Sequence, residues 1–278
     1  MPHRQGGFVR SLNAAALKLA GSISTPENRV RRLLSPLYSS LLDILGGRRG
    51  YPAEINGHVF RIDPRFRWAA WTHHEQEVAR YLSERITPGQ VCFDVGANIG
   101  LYVLQLARWS APDGRIVAFE PNPSTVSVLR RHVVLNGLDP RVVIVPKGVG
   151  AVSGDALLYD DTAGSGLSRI GGPHPGIDVP VTPRTIPVTT IDDYCRETGT
   201  IPDWIVIDVE GYEFEVLQGA ATTLRNHAPR VVMEIHRHVV SAQSREAGER
   251  LLDQLRLKPV AIQDIEGRDE SFVSLERM

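Results

Sequence analysis

Val91 to Arg108, VCFDVGANIGLYVLQLAR, joins a short apolar run, a turn carrying two glycines and a helix pattern that is apolar almost all round. Val91, Cys92, Phe93 and Val95 predict a strand buried on both faces, with Asp94 delivered at its carboxyl end. Gly96 and Gly100 flank Ala97, Asn98 and Ile99. A glycine there can take positive φ and admit a ligand close to the backbone. Residues 99–107 predict a helix sandwiched between a sheet and other chain, its first N–H groups free to meet a ligand. Strand, tight turn and helix opening on one crevice form the nucleotide-binding entry of a doubly wound α/β fold.

The chain after this unit repeats the alternation. Pro112-Asp113-Gly114 turns into a strand over 115–119 that ends at Glu120, and Asn122 is an N-cap with Pro123 at the first helical position. That helix runs to about Asn136, stops at Gly137, and is followed by a strand over 141–145. The right-handed crossover rule makes these strands parallel neighbours. Residues 163–187, AGSGLSRIGGPHPGIDVPVTPRTIP, hold too much Gly and Pro for a regular element and predict a substrate-side flap, after a short strand over 156–159. Thr190 to Asp193 is a capping box for a helix ending near Gly199, with Asp192 and Asp193 capping it. Strands over 204–209 and 230–235, helices over 211–224 and 247–255, and a closing antiparallel pair over 258–262 and 271–275 complete the pattern.

Upstream, EINGHVFRI over 54–62 turns at Asn56-Gly57, a strong hairpin signal, and 75–82 predicts a helix leading into the organising strand. Residues 8–20 and 28–45 have helical spacing, so 1–50 reads as a basic helical extension and 51–278 as the main domain. The first fifty residues carry eight Lys/Arg against two acids, while the whole chain is −1. A basic arm on an acidic body suggests peripheral contact of the arm with a membrane or another subunit, and no nucleic-acid footprint on the body. The chain contains no run of eighteen apolar residues, and Lys18 interrupts the weak apolar stretch that resembles a signal peptide. Two cysteines, Cys92 and Cys195, form no framework and fit a reducing, cytoplasmic compartment.

Ligands in such a sheet lie beyond the carboxyl ends of the strands, which deliver Asp94 to Gly100, Glu120, Asp208 to Gly211, and Glu234 to His236. Glu120 is placed to accept from a ribose diol, a geometry dinucleotide enzymes share. The turn reads D-x-G-x-N-x-G, and a carboxylate there would repel a diphosphate but suit the cationic end of S-adenosylmethionine. No GxxxxGK sequence is present, which argues against an NTPase.

FDVGANIGLY, AFEPNP, VVLNG, TTIDDYC, WIVIDVEGYEFEVLQGA and MEIH, in this order between about 75 and 236, resemble the FkbM-type family of S-adenosylmethionine-dependent methyltransferases. The resemblance implies a Rossmann-like class I methyltransferase fold, a mostly parallel seven-stranded sheet with helices on both faces. It also implies O-methylation of a hydroxyl on a saccharide or other secondary metabolite. Asp94, Gly96, Ala97, Asn98, Gly100, Glu120, Asn122 and Asp208 are the expected cofactor residues, Gly96, Asn98, Gly100, Glu120 and Asp208 by match to the family. The family often has Lys two residues before that last acid, where Val206 stands here.

Methyl transfer to a hydroxyl benefits from a base, and His236, then Asp208 or Glu210, are the candidates. The competing reading of His236 is a polar residue that satisfies loop backbone. Glu213 and Glu215 read as a solvated helix start. Carboxylates and an imidazole can also hold Mg²⁺ or another divalent ion, but the spacing matches no fixed ligand motif and none is expected. The rival functions are an NAD-linked oxidoreductase and a cofactor-binding or scaffold protein without turnover.

Overall fold

The computed structural model describes residues 49–66, 71–161, 168–170, 172, 181–265 and 269–278. The helices expected over 8–20 and 28–45 lie outside them. The chain divides into two compact units, Met1–Thr72 and His73–Met278. In the first, β1 (Tyr51–Ile55) and β2 (His58–Ile62) pair antiparallel around Asn56 (φ 45) and Gly57 (φ 79), the mirror-image turn that matches strand twist.

The second unit opens with α1 (Gln76–Ser83), β3 (Val91–Val95), α2 (Leu101–Trp109), β4 (Arg115–Phe119), α3 (Pro123–Leu135) and β5 (Val142–Val145). Four strands follow, β6 (Gly148–Val149), β7 (Gly154–Asp161), β8 (Arg169–Ile170) and β9 (Val181–Thr189). Then come α4 (Ile191–Thr198), β10 (Trp204–Ile207), α5 (Glu213–Gln218), α6 (Ala221–His227), β11 (Arg230–His236), α7 (Ala242–Leu255), β12 (Leu257–Asp264) and β13 (Glu270–Arg277).

The main sheet has seven strands in the order β12-β13-β11-β10-β3-β4-β5. Neighbours from β11 to β5 are parallel, and β13 runs antiparallel to β11 and β12. The chain moves outward from β3 through β4 to β5, then restarts at β10 on the other side. Right-handed crossovers in opposite directions put their helices on opposite faces and open a crevice at β3 and β10. Among the packed rings, Phe93 and Phe119 of adjacent strands meet edge to face at 5.7 Å and both meet Tyr194 of α4, at 5.5 and 5.1 Å.

Two expectations fail for identifiable reasons. The helix expected over 211–224 is two helices, separated at Gly219-Ala220, where the Gly219 carbonyl accepts from Asp192 N–H at 2.9 Å and a Cβ at Gly219 would lie 2.0 Å from the Gly150 carbonyl oxygen. The stretch over 163–187, expected to be irregular, contains β8 and most of β9, and with β6 and β7 these form a second sheet ordered β6-β9-β7-β8. Pro183 and Pro187 share one parity along β9, so both missing N–H groups face the side away from the β7 ladder, where β6 pairs only with Val188 and Thr189. The last long helix also starts earlier than expected, capped by Ser241, whose hydroxyl accepts from the Ser244 N–H at 3.1 Å.

Asp192 caps a helix other than its own. Its carboxylate accepts from the N–H of Thr222 (2.9 Å) and of Thr223 (2.8 Å) and from the Thr223 hydroxyl (2.7 Å), at the start of α6. Asp192→Ala should therefore cost about 1–2 kcal/mol in urea unfolding. An unchanged midpoint would show that water replaces the cap.

Candidate active site

The turn after β3 is tied down from within. Gly96 and Ala97 both donate to the Phe119 carbonyl, at 3.0 and 2.9 Å, and Gly100 donates to Ala97 at 2.8 Å. Asn98, at φ 48, donates its N–H to Glu120 Oε2 at 2.9 Å, and its own side-chain oxygen accepts from Ile99 at 2.8 Å. Of the helix N–H groups expected to be free, those of Ile99 and Gly100 are thus already bonded within the turn. Behind the turn, buried His132 binds the Ile99 carbonyl through Nδ1 at 2.7 Å.

Asp94 is 3% exposed and accepts from the Val103 N–H, capping α2. Burial, then the neighbouring carboxylates Asp208, Glu120 and Glu75, push it up to about 8, so it is mostly protonated at neutral pH. A cation in the crevice would draw that proton off. Glu120 accepts from Asn122 N–H through Oε1 at 2.8 Å as well as from Asn98. Two accepted bonds leave the carboxylate with further lone pairs for a diol. Burial, against those two N–H bonds, raises Glu120 to about 7.

A cleft of about 630 Å³, counted out to open solvent, lies at the switch point. Gly96, Asn98, Glu120, Asp208 and Glu210 line it, while Leu158, Ser168 and Ile170 from β7, β8 and the residue before β8 form another wall. The second sheet therefore faces the ligand side, where the flap was expected. Asp94, Ala97, Gly100 and Asn122 support the turn and are not in that lining. Asn122 caps α3 by accepting from Ser124 N–H at 3.1 Å, and its amide donates to Ser168 at 3.1 Å.

On the β10 and β11 side, carboxylates surround one imidazole. His236 is 3% exposed, and its Nδ1 is 2.7 Å from Glu213 Oε1, which also accepts from Gly211 N–H at 2.8 Å. Its Nε2 lies 3.4 Å from Glu210, 3.8 Å from Glu234 and 4.0 Å from Asp208. Glu210 reaches this place from the left-handed region, at φ 52, a conformation that costs a non-glycine residue and persists only where its surroundings impose it. Burial works against a charged His236, but the Glu213 hydrogen bond and the carboxylates outweigh it and hold the imidazole up to about 10. Glu234 is pushed up strongly, by burial and then by Asp208, and shares a hydrogen bond with Asp208.

The structure thus brings together Asp208, Glu210 and His236, the three catalytic candidates. It corrects the reading of Glu213, which is fully buried and holds His236, and of Glu215, which accepts from the Ser244 hydroxyl at 2.6 Å. Sequence reasoning also missed Glu75, which accepts from the Tyr102 hydroxyl and acts electrostatically on Asp208, Glu234 and His236. Val206 is buried in β10, so no amine stands where the family often has one.

The fold and this cleft together define a class I, Rossmann-like methyltransferase. Residues 94–257 match the family described as "Methyltransferase FkbM domain", and the chain belongs to that family of enzymes. It is 30% identical over 193 residues to hexuronic acid methyltransferase AglP of Haloferax volcanii, covering 66% of this chain and 73% of that one. It is 31% identical over 175 residues to 31-O-demethyl-FK506 methyltransferase FkbM of Streptomyces tacrolimicus, covering 54% and 67%. In fold it is similar to the crystal structure of methyltransferase FkbM from Methylobacillus flagellatus, with TM-score 0.50 and 17% identity. That likeness covers 69% of this chain and 44% of the other.

Proposed function

We propose that this methyltransferase transfers the methyl group of S-adenosylmethionine to a hydroxyl of a saccharide or other secondary metabolite. The observation that carries this reading is the cleft with Glu120 and the Gly96 turn at one end and the Asp208–Glu210–His236 cluster at the other. Bound S-adenosylmethionine would supply an activated methyl on a sulfonium, so the chain need only position the acceptor and take its proton. Glu120 accepts from the ribose diol, Asn98 and Gly96 shape the floor, and Asp208 lies beside the positive end. Asp208 and Glu210 are placed to receive the hydroxyl proton, and His236 joins them once its own proton has passed to a neighbouring carboxylate. The substrates named for the two relatives, a hexuronic acid and 31-O-demethyl-FK506, both support a hydroxyl-bearing metabolite. Two buried free thiols, Cys92 and Cys195, support a reducing, cytoplasmic setting. Incubation with labelled methyl donor and a panel of uronic acids, neutral glycosides and macrolides tests the proposal. Labelled product and S-adenosylhomocysteine are expected with at least one class, and donor binding without product from any class counts against it.

Donor binding should tighten as pH rises from 6 to 8. Glu120 (raised to about 7) and Asp94 (raised to about 8) hold protons in the free protein that an unfolded chain releases near 4. The ligand-free protein therefore loses stability as pH rises through that window, since the folded state binds more protons there. A diol and a cation both favour the ionised carboxylates, so binding expels protons, and affinity gains up to about 10-fold per pH unit for each proton released. Calorimetry in two buffers of different ionisation enthalpy counts these protons; an affinity flat from pH 6 to 8 would refute the assignment.

A further inference from the structure

One nitrogen in the carboxylate cluster is aimed at three oxygens, each beyond the usual hydrogen-bond length. His236 is anchored at Nδ1 by Glu213, which is wholly buried, so the ring cannot turn and Nε2 faces Asp208, Glu210 and Glu234. The distances from Nε2, 3.4, 3.8 and 4.0 Å, all exceed the usual 2.7–3.2 Å of an N–H···O bond. Asp208 Oδ1 is sealed from solvent and has no hydrogen-bond partner, although the rest of that side chain is part-exposed. Donors held about 2.0–2.2 Å from one cation stand about 3–4 Å from each other, which is the spacing seen between Nε2 and these oxygens. A carboxylate on the far nitrogen of an imidazole is also the arrangement that orients histidine ligands.

We propose that Asp208, Glu210 and His236 bind a divalent cation of the Mg²⁺ or Mn²⁺ class, with Glu213 positioning the ligating imidazole. One donor atom from each of the three ligands lies within 4.8 Å of the others. A second grouping, Glu234, His236 and Glu270, shares the histidine but is buried throughout, whereas Asp208 and Glu210 line the cleft. One imidazole and two carboxylates suit a hard or borderline cation and leave positions open to water and to acceptor oxygens. This deepens the proposed function and rests on it: a cation there would lower the pKa of the acceptor hydroxyl and offset the crowding of carboxylates.

The test is Mn²⁺ binding to the EDTA-stripped protein, followed by the electron paramagnetic resonance signal of free Mn²⁺, with Mg²⁺ as competitor. One Mn²⁺ per chain is expected, with binding lost in Asp208→Asn and weakened about 10–100-fold in Glu213→Gln. Glu210→Gln, on the cleft surface, gives the same readout should Asp208→Asn fail to fold. Wild-type affinity no greater than that of both ligand variants overturns the site. Calorimetry with S-adenosylmethionine and acceptor screening on the same samples keeps the two readings apart. Donor binding and product without Mn²⁺ binding would sink the metal site and leave the methyltransferase reading standing. Specific Mn²⁺ binding without product from any acceptor would support the site and count against the proposed acceptor class.

Discussion

His236→Asn should lower turnover by about 10²–10⁴ while leaving methyl-donor affinity close to wild type. The two effects separate because the cleft is lined by Gly96, Asn98 and Glu120 at the donor end, whereas His236 lies behind Asp208 and Glu210 and outside that lining. The variant also leaves Glu213 without its imidazole partner, so a loss of fold has to be distinguished from a loss of chemistry. Glu213→Gln supplies that distinction. A glutamine oxygen can still accept from Gly211 and from His236, so the ring stays in place while the charge behind it is lost. Turnover should then fall by about 10-fold or more with KM nearly unchanged. Full turnover in His236→Asn, measured as S-adenosylhomocysteine formed per enzyme, would remove the imidazole from the mechanism.

The parts of this site that the sequence made legible are those fixed by local chemistry. A buried run followed by D-x-G-x-N-x-G has few conformations open to it, and Asn122-Pro123 and Thr190 announce their helices one residue ahead. Asp208, Glu210, Glu234 and His236 were placed together because parallel strands deliver their carboxyl ends to one edge, a rule that needs only the order of elements. Glu213 was misread because its position at a helix start looks solvated, and only the arrival of β11 two dozen residues later buries it against His236. Glu75 carried no signal at all: it precedes a helix in the left-handed region at φ 44, and its partner Tyr102 is twenty-seven residues away. β9 was hidden by its prolines, which propensity counts against a strand unless one knows that they face away from the β7 ladder, where β6 pairs only with Val188 and Thr189.

Gly96→Ala should be among the most damaging small substitutions of the described residues, because two costs coincide there. The residue sits at φ 87, which an L side chain adopts at a cost of about 1–2 kcal/mol, and its Cβ would lie 1.8 Å from the Asp208 carbonyl oxygen. That oxygen belongs to backbone at the end of β10, so relief requires the strand end to move, and overpacking of this kind costs about 1–3 kcal/mol more. The sum, about 2–5 kcal/mol, corresponds to a fall in Tm on the order of 10 °C for a unit of this size. Function should suffer beyond stability, since a shift of the Asp208 backbone misplaces a catalytic candidate, and misplacement by about 1 Å can cost 10²-fold in rate. Gly137→Ala is the matched control: φ is again positive, at 65, but nothing lies within 4 Å of the added carbon. It should show the conformational cost alone, about 1 kcal/mol, with donor binding intact. If thermal unfolding and donor titration found the two variants equally mild, the close approach of β3 and β10 at this turn, and with it the placement of the cleft, would have to be abandoned.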